Sequence, residues 1–350
     1  MESLPMSGQM AGTRRIALIP APCLLLLASA CGTPTATGQA VDVTRALRTT
    51  SPSEVWPTTT SIPTSTIEVG AVDLPAGRYV AYVTSVQSDL DTPSTTTLYA
   101  ADPDLGSIYV LMDAAPPFLE AISPDGMVVA YWVPSSPIHF RDLLSGRDRE
   151  VPGTLGCAWL GFSPDPERIV CSDGDVRVVD VVTGGSTQLN VCPPDVIEQG
   201  VICGGTLWSP DGRWIAYRRY RARSGPAGPD EGIYIIDTTC IPQPSTCQAA
   251  VQGPTGSAHW GYSWSPDGSR LAAAALDALS LLDLATRGWS EVPLTESFTF
   301  INEVAWSPDG TTLAFVDSDD YLFAVGASGG SPVQIAIGND LSIVGWFVVN

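Results

Sequence analysis

Beyond residue 66 the hydrophobic positions fall into short runs, broken by clusters of Gly, Pro, Asp and Ser. Runs such as Trp214-Ile215-Ala216-Tyr217, Ile233-Tyr234-Ile235-Ile236 and Leu313-Ala314-Phe315-Val316 are rich in β-branched and aromatic residues and too brief for helices. They predict strands. Their order recurs. An apolar run, often closing on Trp (Trp208, Trp264, Trp306), leads through a tight polar turn into a second apolar run. A third run ends in Asp, as in Val176–Asp180, Ile233–Asp237 and Leu279–Asp283. A turn of small residues, such as Thr183-Gly184-Gly185, then opens a more polar fourth run, as at Thr187-Gln188-Leu189 or Val333-Gln334-Ile335.

The turn between the first two runs is nearly always one tetrapeptide. Ser-Pro-Asp-Gly occupies Ser123–Gly126, Ser209–Gly212, Ser265–Gly268 and Ser307–Gly310. Ser163-Pro164-Asp165-Pro166 is a variant and Leu74-Pro75-Ala76-Gly77 a degenerate copy. Pro presets φ, Asp bonds back to the backbone and Gly supplies positive φ, the requirements of a tight hairpin. Pro166 in place of Gly predicts a third turn that closes differently. Successive copies stand 49, 40, 46, 56 and 42 residues apart. A unit of this period built from four strands cannot bury both faces alone, whereas units stacked round a ring can. The predicted fold class is all-β: a six-bladed β-propeller of four-stranded antiparallel blades over residues 67–350.

The tail bears on how the ring closes. Leu341-Ser342-Ile343-Val344-Gly345-Trp346 repeats the strand that precedes a turn, with Trp346 standing 40 residues after Trp306, but no Pro-Asp-Gly follows. The first blade lacks a Trp before its degenerate turn. The C-terminal strand is therefore expected to complete blade one, with Ile67–Val72 as the competing occupant.

Trp306-Ser307-Pro308-Asp309-Gly310-Thr311-Thr312-Leu313-Ala314-Phe315 resembles the TolB-type propeller repeat, a relative of the WD-repeat family. Trp264–Gly268 with Leu271-Ala272, and Trp208–Gly212 with Ile215-Ala216-Tyr217, are near copies. The resemblance spans residues 67–350. It implies the propeller fold and a scaffold that binds a protein, peptide or envelope polymer at one mouth of the ring, as TolB binds envelope lipoproteins. Propellers host many activities, so the resemblance specifies fold better than function. The chain departs from the family where TolB proteins carry an α/β domain ahead of the propeller, since a short tether precedes the repeats.

Residues 1–30 read as a signal peptide. Arg14-Arg15 precedes the mostly apolar Ile16–Ala30, which is broken by Pro20 and Pro22 and too short to span a bilayer. Leu27-Ala28-Ser29-Ala30-Cys31 resembles the bacterial lipoprotein signal, in which the Cys becomes the lipidated first residue. Cys31 is thus the expected lipid anchor to the membrane, and the expected location is the bacterial cell envelope. Residues 31–66 are crowded with Thr, Pro and Ser and have little to bury, as suits a disordered tether. Cys23 leaves with the signal, and the six remaining cysteines fall into close pairs: Cys157/Cys171, Cys192/Cys203 and Cys240/Cys247. An exported address permits disulfides, and nearest-neighbour pairing matches the blade layout. Cys157 and Cys171 are expected to flank the Ser163 turn on adjacent strands, and Cys240 and Cys247 to close a loop containing Pro242 and Pro244. The rival metal reading finds no C-x-x-C and only two histidines.

Formal net charge is −20 and the chain has no lysine, so its 17 basic residues are all Arg. The acidic excess argues against nucleic acid and anionic lipid headgroups and favours cationic partners. Schiff-base chemistry is excluded.

Motifs that could carry catalysis are thin. Gly326-Ala327-Ser328-Gly329-Gly330 spells a nucleophile elbow but falls at an inter-strand turn with no His after it. His139 and His259 lie on predicted strands outside any nucleophile motif. Asp317, Asp319 and Asp320, like Asp173 and Asp175, are turn acids, and the first three are weak Ca²⁺ candidates. The most singular segment is Arg218-Arg219-Tyr220-Arg221-Ala222-Arg223, which with Arg213 concentrates basic charge in the longest repeat. Period two puts Arg219, Arg221 and Arg223 on one strand face, suited to carboxylate or phosphate, with Tyr220 available for stacking.

The expected protein is a non-enzymatic, cofactor-free, monomeric envelope lipoprotein that binds a protein or peptide. The alternatives are a carbohydrate-binding or sensory ectodomain, with Tyr217, Tyr220, Trp260 and Tyr262 as sugar platforms, or a propeller hydrolase or lyase.

Overall fold

The computed structural model describes residues 74–86, 95–116, 118–133, 135–165, 167–192, 200–221, 231–252 and 261–349. The signal, Cys31, the tether, Ile67–Val72, Arg223, His259 and Trp260 lie outside them.

Blade 1 begins with β1 (Gly77–Val86), β2 (Thr95–Ala101) and β3 (Ile108–Ala115). Blade 2 is β4 (Leu119–Ile122), β5 (Val128–Tyr131), β6 (His139–Asp142) and β7 (Asp148–Glu150). Blade 3 is β8 (Ala158–Phe162), β9 (Arg168–Ser172), β10 (Val176–Asp180) and β11 (Ser186–Gln188). Blade 4 is β12 (Val201–Trp208), β13 (Trp214–Arg221), β14 (Gly232–Asp237) and β15 (Ala249–Gln252). Blade 5 is β16 (Tyr262–Trp264), β17 (Arg270–Ala274), β18 (Leu279–Asp283) and β19 (Gly288–Glu291). Blade 6 is β20 (Ile301–Trp306), β21 (Thr312–Asp317), β22 (Tyr321–Gly326) and β23 (Val333–Ile337). The last strand, β24 (Ser342–Val349), returns to blade 1 in the order β24-β1-β2-β3. Each sheet is a four-stranded antiparallel meander. The tail therefore closes the ring, pairing from Gly77–Val349 to Val83–Ser342.

Why both faces of each blade are apolar is clear from the packing. Six buried clusters lie one at each blade-to-blade interface. Cys203, Trp208, Ile215 and Tyr217 of blade 4, for example, meet Val170, Val178 and Leu189 of blade 3. The recurrent Trp points back at the preceding blade: Trp346 Nε1 donates to the Ala305 carbonyl at 3.2 Å and Trp264 Nε1 to the Leu207 carbonyl at 3.4 Å.

The tetrapeptide turns share one wiring. The buried Ser hydroxyl donates to the Asp carboxylate (2.5 Å at Ser209, 2.6 Å at Ser265, 2.7 Å at Ser307) and accepts from the backbone N–H five residues on. The same carboxylate accepts from the N–H two residues after the Asp. These bonds hold the Asp267 and Asp309 carboxyls down at about 2. The Pro166 variant differs as its sequence predicts: Ser163 Oγ donates to the backbone carbonyls of Arg168 and Asp165, and Asp165 forms an ion pair with Arg168.

The cysteines are bonded as three disulfides, Cys157–Cys171, Cys192–Cys203 and Cys240–Cys247, with Cα–Cα separations of 5.6, 6.4 and 5.1 Å. Cys157 immediately precedes β8 and Cys171 lies on β9, so the first bridge staples the two strands that flank the Ser163 turn. Both sulfurs belong to the apolar cluster between blades 2 and 3. Cys192–Cys203 ties blade 3 to blade 4. Cys240–Cys247 closes the β14–β15 connection, where the expected plain loop is instead wound into two short 3₁₀ turns, Thr238–Cys240 and Pro244–Thr246. Cys192, Cys203 and Cys247 are buried in the cluster between blades 3 and 4, with Cys240 packed against it. These are the nearest-neighbour pairs expected from the sequence, and all three cross-link the scaffold.

Candidate functional site

Strands β24, β4, β8, β12, β16 and β20 touch in a ring and wall the central channel. The Ser-Pro-Asp turns leave these strands on one side of the disc, the turn face. The strands begin on the opposite side, the loop face.

Near the loop face the inner strands lose register. β4 slips between Leu119 and Ala121, β8 between Ala158 and Gly161, and β12 between Gly204 and Leu207. β20 slips between Ile301 and Glu303, and β24 skips Val344 against Ala81–Tyr82. A bulge turns a side chain out of the regular alternation and commonly borders a functional site. Here bulges recur on strand after strand at one level of the channel. The residues they leave unpaired include Glu120, Trp159, Gly205 and Asn302, and Glu303 follows Asn302 directly. Trp159 holds φ at +50° and Gly205 at +64°, and the Trp159 carbonyl accepts from Thr206 Oγ across the blade gap.

Two sectors of opposite character result. Across blades 6, 1 and 2 lie two carboxylates. Glu120 accepts from Trp132 Nε1 at 2.7 Å, and Glu303 accepts from Ser342 Oγ at 2.8 Å and from the Ile343 N–H at 2.5 Å. Both are half-buried. Burial pushes the Glu120 carboxyl up to about 7, helped by repulsion from Glu303, and burial also raises Glu303. Phe118 stacks on Trp132 at 4.3 Å and is exposed at the rim.

The other sector, across blades 3, 4 and 5, is aromatic and cationic. The Trp159 ring lies over Gly204, where an added Cβ would come within 2.6 Å of it, and meets Tyr220 edge-on at 6.3 Å. Arg218 sits over Tyr220 at 4.3 Å. Tyr262 donates its hydroxyl to the Gly205 carbonyl, and burial raises its pKa well above the usual tyrosine range while the neighbouring Arg218 charge opposes the rise.

The arginine segment is thus divided. Arg219 and Arg221 do share a strand face, but both are engaged within the scaffold, Arg219 by the preceding blade and Arg221 by its own. Arg219 donates to the Val191 carbonyl and to Tyr217 Oη at 3.1 Å, and lies over Tyr234 at 4.2 Å. Arg221 pairs with Glu231 at 2.7 Å, both side chains largely enclosed. Arg213 is at the far end of β13 on the turn face, stacked over Trp214 at 4.7 Å. Arg218 and Tyr220 lie on the opposite face of β13, where they stack on each other and Tyr220 meets the Trp159 ring of β8.

Tyr217 and Tyr262 are buried, at 0% and 8% exposure, so they are interior packing and not sugar platforms. Asp317 accepts the N–H groups of Asp319 and Tyr321, and Asp320 those of Asp340 and Leu341. Among the described residues no group of three or more His, Cys, Asp or Glu side chains converges as a metal site. His139 is held by Ser136 Oγ at 3.0 Å and stacks on Tyr131. Gly326–Gly330 is a turn, with the Gly329 N–H on the Gly326 carbonyl at 2.8 Å.

Glu120 and Glu303 did not stand out in the sequence. Their signal is that they are the only charged residues on the six innermost strands.

No protein-family model and no curated protein matches the sequence. Solved structures do. TolB from Acinetobacter baumannii aligns over 77% of this chain and 67% of its own, with TM-score 0.54 and 17% identity. A propeller from the nidogen/laminin complex aligns over 78% of this chain and 99% of its own, with TM-score 0.55 and 11% identity. A TolB-like protein from Agrobacterium tumefaciens aligns over 75% and 89%, with TM-score 0.51 and 16% identity. The chain shares the TolB propeller fold. At these identities the likeness is one of architecture, and the channel residues must be argued from their own chemistry.

That chemistry gives a sign for pH. A carboxyl whose folded pKa exceeds its unfolded value binds more protons in the folded state between the two, so folding weakens as pH rises from about 4.5 to 7. Glu120→Gln, which keeps an acceptor for Trp132, is expected to raise thermal stability at pH 8 by about 2 kcal/mol, allowing for partial solvent contact. At pH 4.5 the gain should vanish. Thermal unfolding at the two pH values checks it, and an equal gain at both would show that Glu120 is not a strained acid.

Proposed function

We propose that the protein is a non-enzymatic scaffold of the bacterial envelope, lipid-anchored at Cys31, that binds a protein or peptide at the loop-face mouth of its propeller. The supporting observation is the level of bulges that brings Glu120, Glu303 and the Trp159 ring to one end of a channel otherwise walled mainly by apolar and small residues. Such a surface offers polar anchors and aromatic area, the makings of a protein-binding patch. Three disulfides favour an oxidising, extracytoplasmic compartment. The nidogen/laminin neighbour is a propeller seen in a complex with another protein, in keeping with this reading.

Affinity capture from native membranes tests it. Phe118→Asp at the mouth is expected to lose the captured partner, whereas Leu144→Asp is expected to retain it, Leu144 being exposed on the turn face. Equal capture by both variants would refute binding at the mouth.

A further inference from the structure

We propose that the mouth between blades 6, 1 and 2 is a receptor for one cationic side chain, lysine or arginine, projecting from the bound partner segment. This rests on the reading above and names the chemistry of what is bound. Glu120 and Glu303 stand on β4 and β20, the inner strands that touch β24 from either side, and Glu303 reaches across to Ser342 Oγ and the Ile343 N–H of β24. Among the described ion pairs none includes either residue, so no described arginine neutralises them. Enclosed like charges of this kind are relieved by an added positive group.

An independent feature at the same rim favours an organic cation. Phe118 and Trp132 form a stacked pair with an interplanar angle of 18°, and the indole N–H of Trp132 fixes the Glu120 carboxylate beside it. A ring face next to a carboxylate is the pairing that holds ammonium and guanidinium groups, by cation–π attraction and charge-assisted hydrogen bonds together. The net charge of −20 draws such partners to the molecule. The aliphatic stem of Lys or Arg would lie along the rings while its head reached the two acids. A bare metal ion would find too few ligands, since no third acid, His or Cys joins the pair among the described residues.

The test is calorimetric titration of the intact protein with two capped pentapeptides, Gly-Gly-Lys-Gly-Gly and its norleucine counterpart. The lysine peptide is expected to bind about tenfold tighter or more. Glu120→Gln and Glu303→Gln should each erase that preference, and Phe118→Ser, at the solvent edge, should weaken it roughly threefold to fivefold. Removing two charges elsewhere, with Glu150→Gln and Glu291→Gln on exposed outer strands, should leave it intact. Equal binding of the two peptides overturns the proposal, as does a preference that the Glu150/Glu291 variant erases equally well. Phe118→Ser lies outside the packed clusters, so its result stands even if a Gln variant unfolds. If Phe118→Asp loses the native partner while the peptides bind alike, the mouth remains the binding site and the cationic anchor is wrong.

Discussion

Deleting residues 341–350 is expected to abolish the cooperative thermal transition. β24 is hydrogen-bonded to β1 along nearly its whole length and seals two blade interfaces at once. Trp346 and Leu341 lie in the cluster between blades 6 and 1, while Val344 and Phe347 lie in the cluster between blades 1 and 2. Losing a buried aromatic costs about 3–5 kcal/mol, and two such residues go together with their aliphatic neighbours. The sum rivals the roughly 5–15 kcal/mol that holds a domain folded. Calorimetry should show a lost or broad, low-temperature transition. An unchanged one would mean that another segment completes blade 1.

The second large effect is expected at Gly126, in the first Ser-Pro-Asp-Gly turn. Its φ is +71°, and a Cβ there would come within 2.2 Å of the Phe347 ring. Gly146 gives a matched control, with φ +66° and nothing within 4 Å. Gly146→Ala should cost only the left-handed backbone penalty of about 1–2 kcal/mol. Gly126→Ala adds the collision with a ring wedged against Tyr79, for a total of about 3–5 kcal/mol. Chemical denaturation measures both. In a double-mutant cycle, Phe347→Ala should remove most of the excess at Gly126, because the two changes act on one contact. Equal costs at Gly126 and Gly146 would deny that the turn and the closing strand are fitted together.

How much of this was legible in the chain depends on whether the cause is local. The tetrapeptide encodes its own geometry: Ser209 and Asp211 bond to each other and to backbone within five residues, so the turn can be recognised wherever it occurs. Counting turns gave the blades, and the unmatched Trp346 gave the closure. The cysteine pairs were readable because each closes a short stretch of chain, 14 residues from Cys157 to Cys171 and 7 from Cys240 to Cys247. Their burial between blades was not, since it depends on which blade packs against them. Bulges were not readable either, because a register shift is a relation between two strands, and runs as short as Leu119–Ile122 are too brief for a break in alternation to show. Glu120 carries no motif of its own, and its bulged position between Leu119 and Ala121, where Trp132 holds its carboxylate, emerges only from the pairing of β4 with β5. The arginine segment shows the converse. Period two grouped Arg219 with Arg221, but both are taken up inside the scaffold: Arg219 by the Val191 carbonyl of the preceding blade, Arg221 by Glu231 just before its own blade's third strand.

The central claim, that partners engage the loop-face mouth, is tested most directly by site-specific photo-crosslinking in native membranes. A benzophenone side chain at position 118 is expected to yield a discrete adduct that Glu120→Gln diminishes, while one at position 144 on the turn face yields none. Adducts at 144 with none at 118 would contradict the account and move the binding surface to the Ser-Pro-Asp turns.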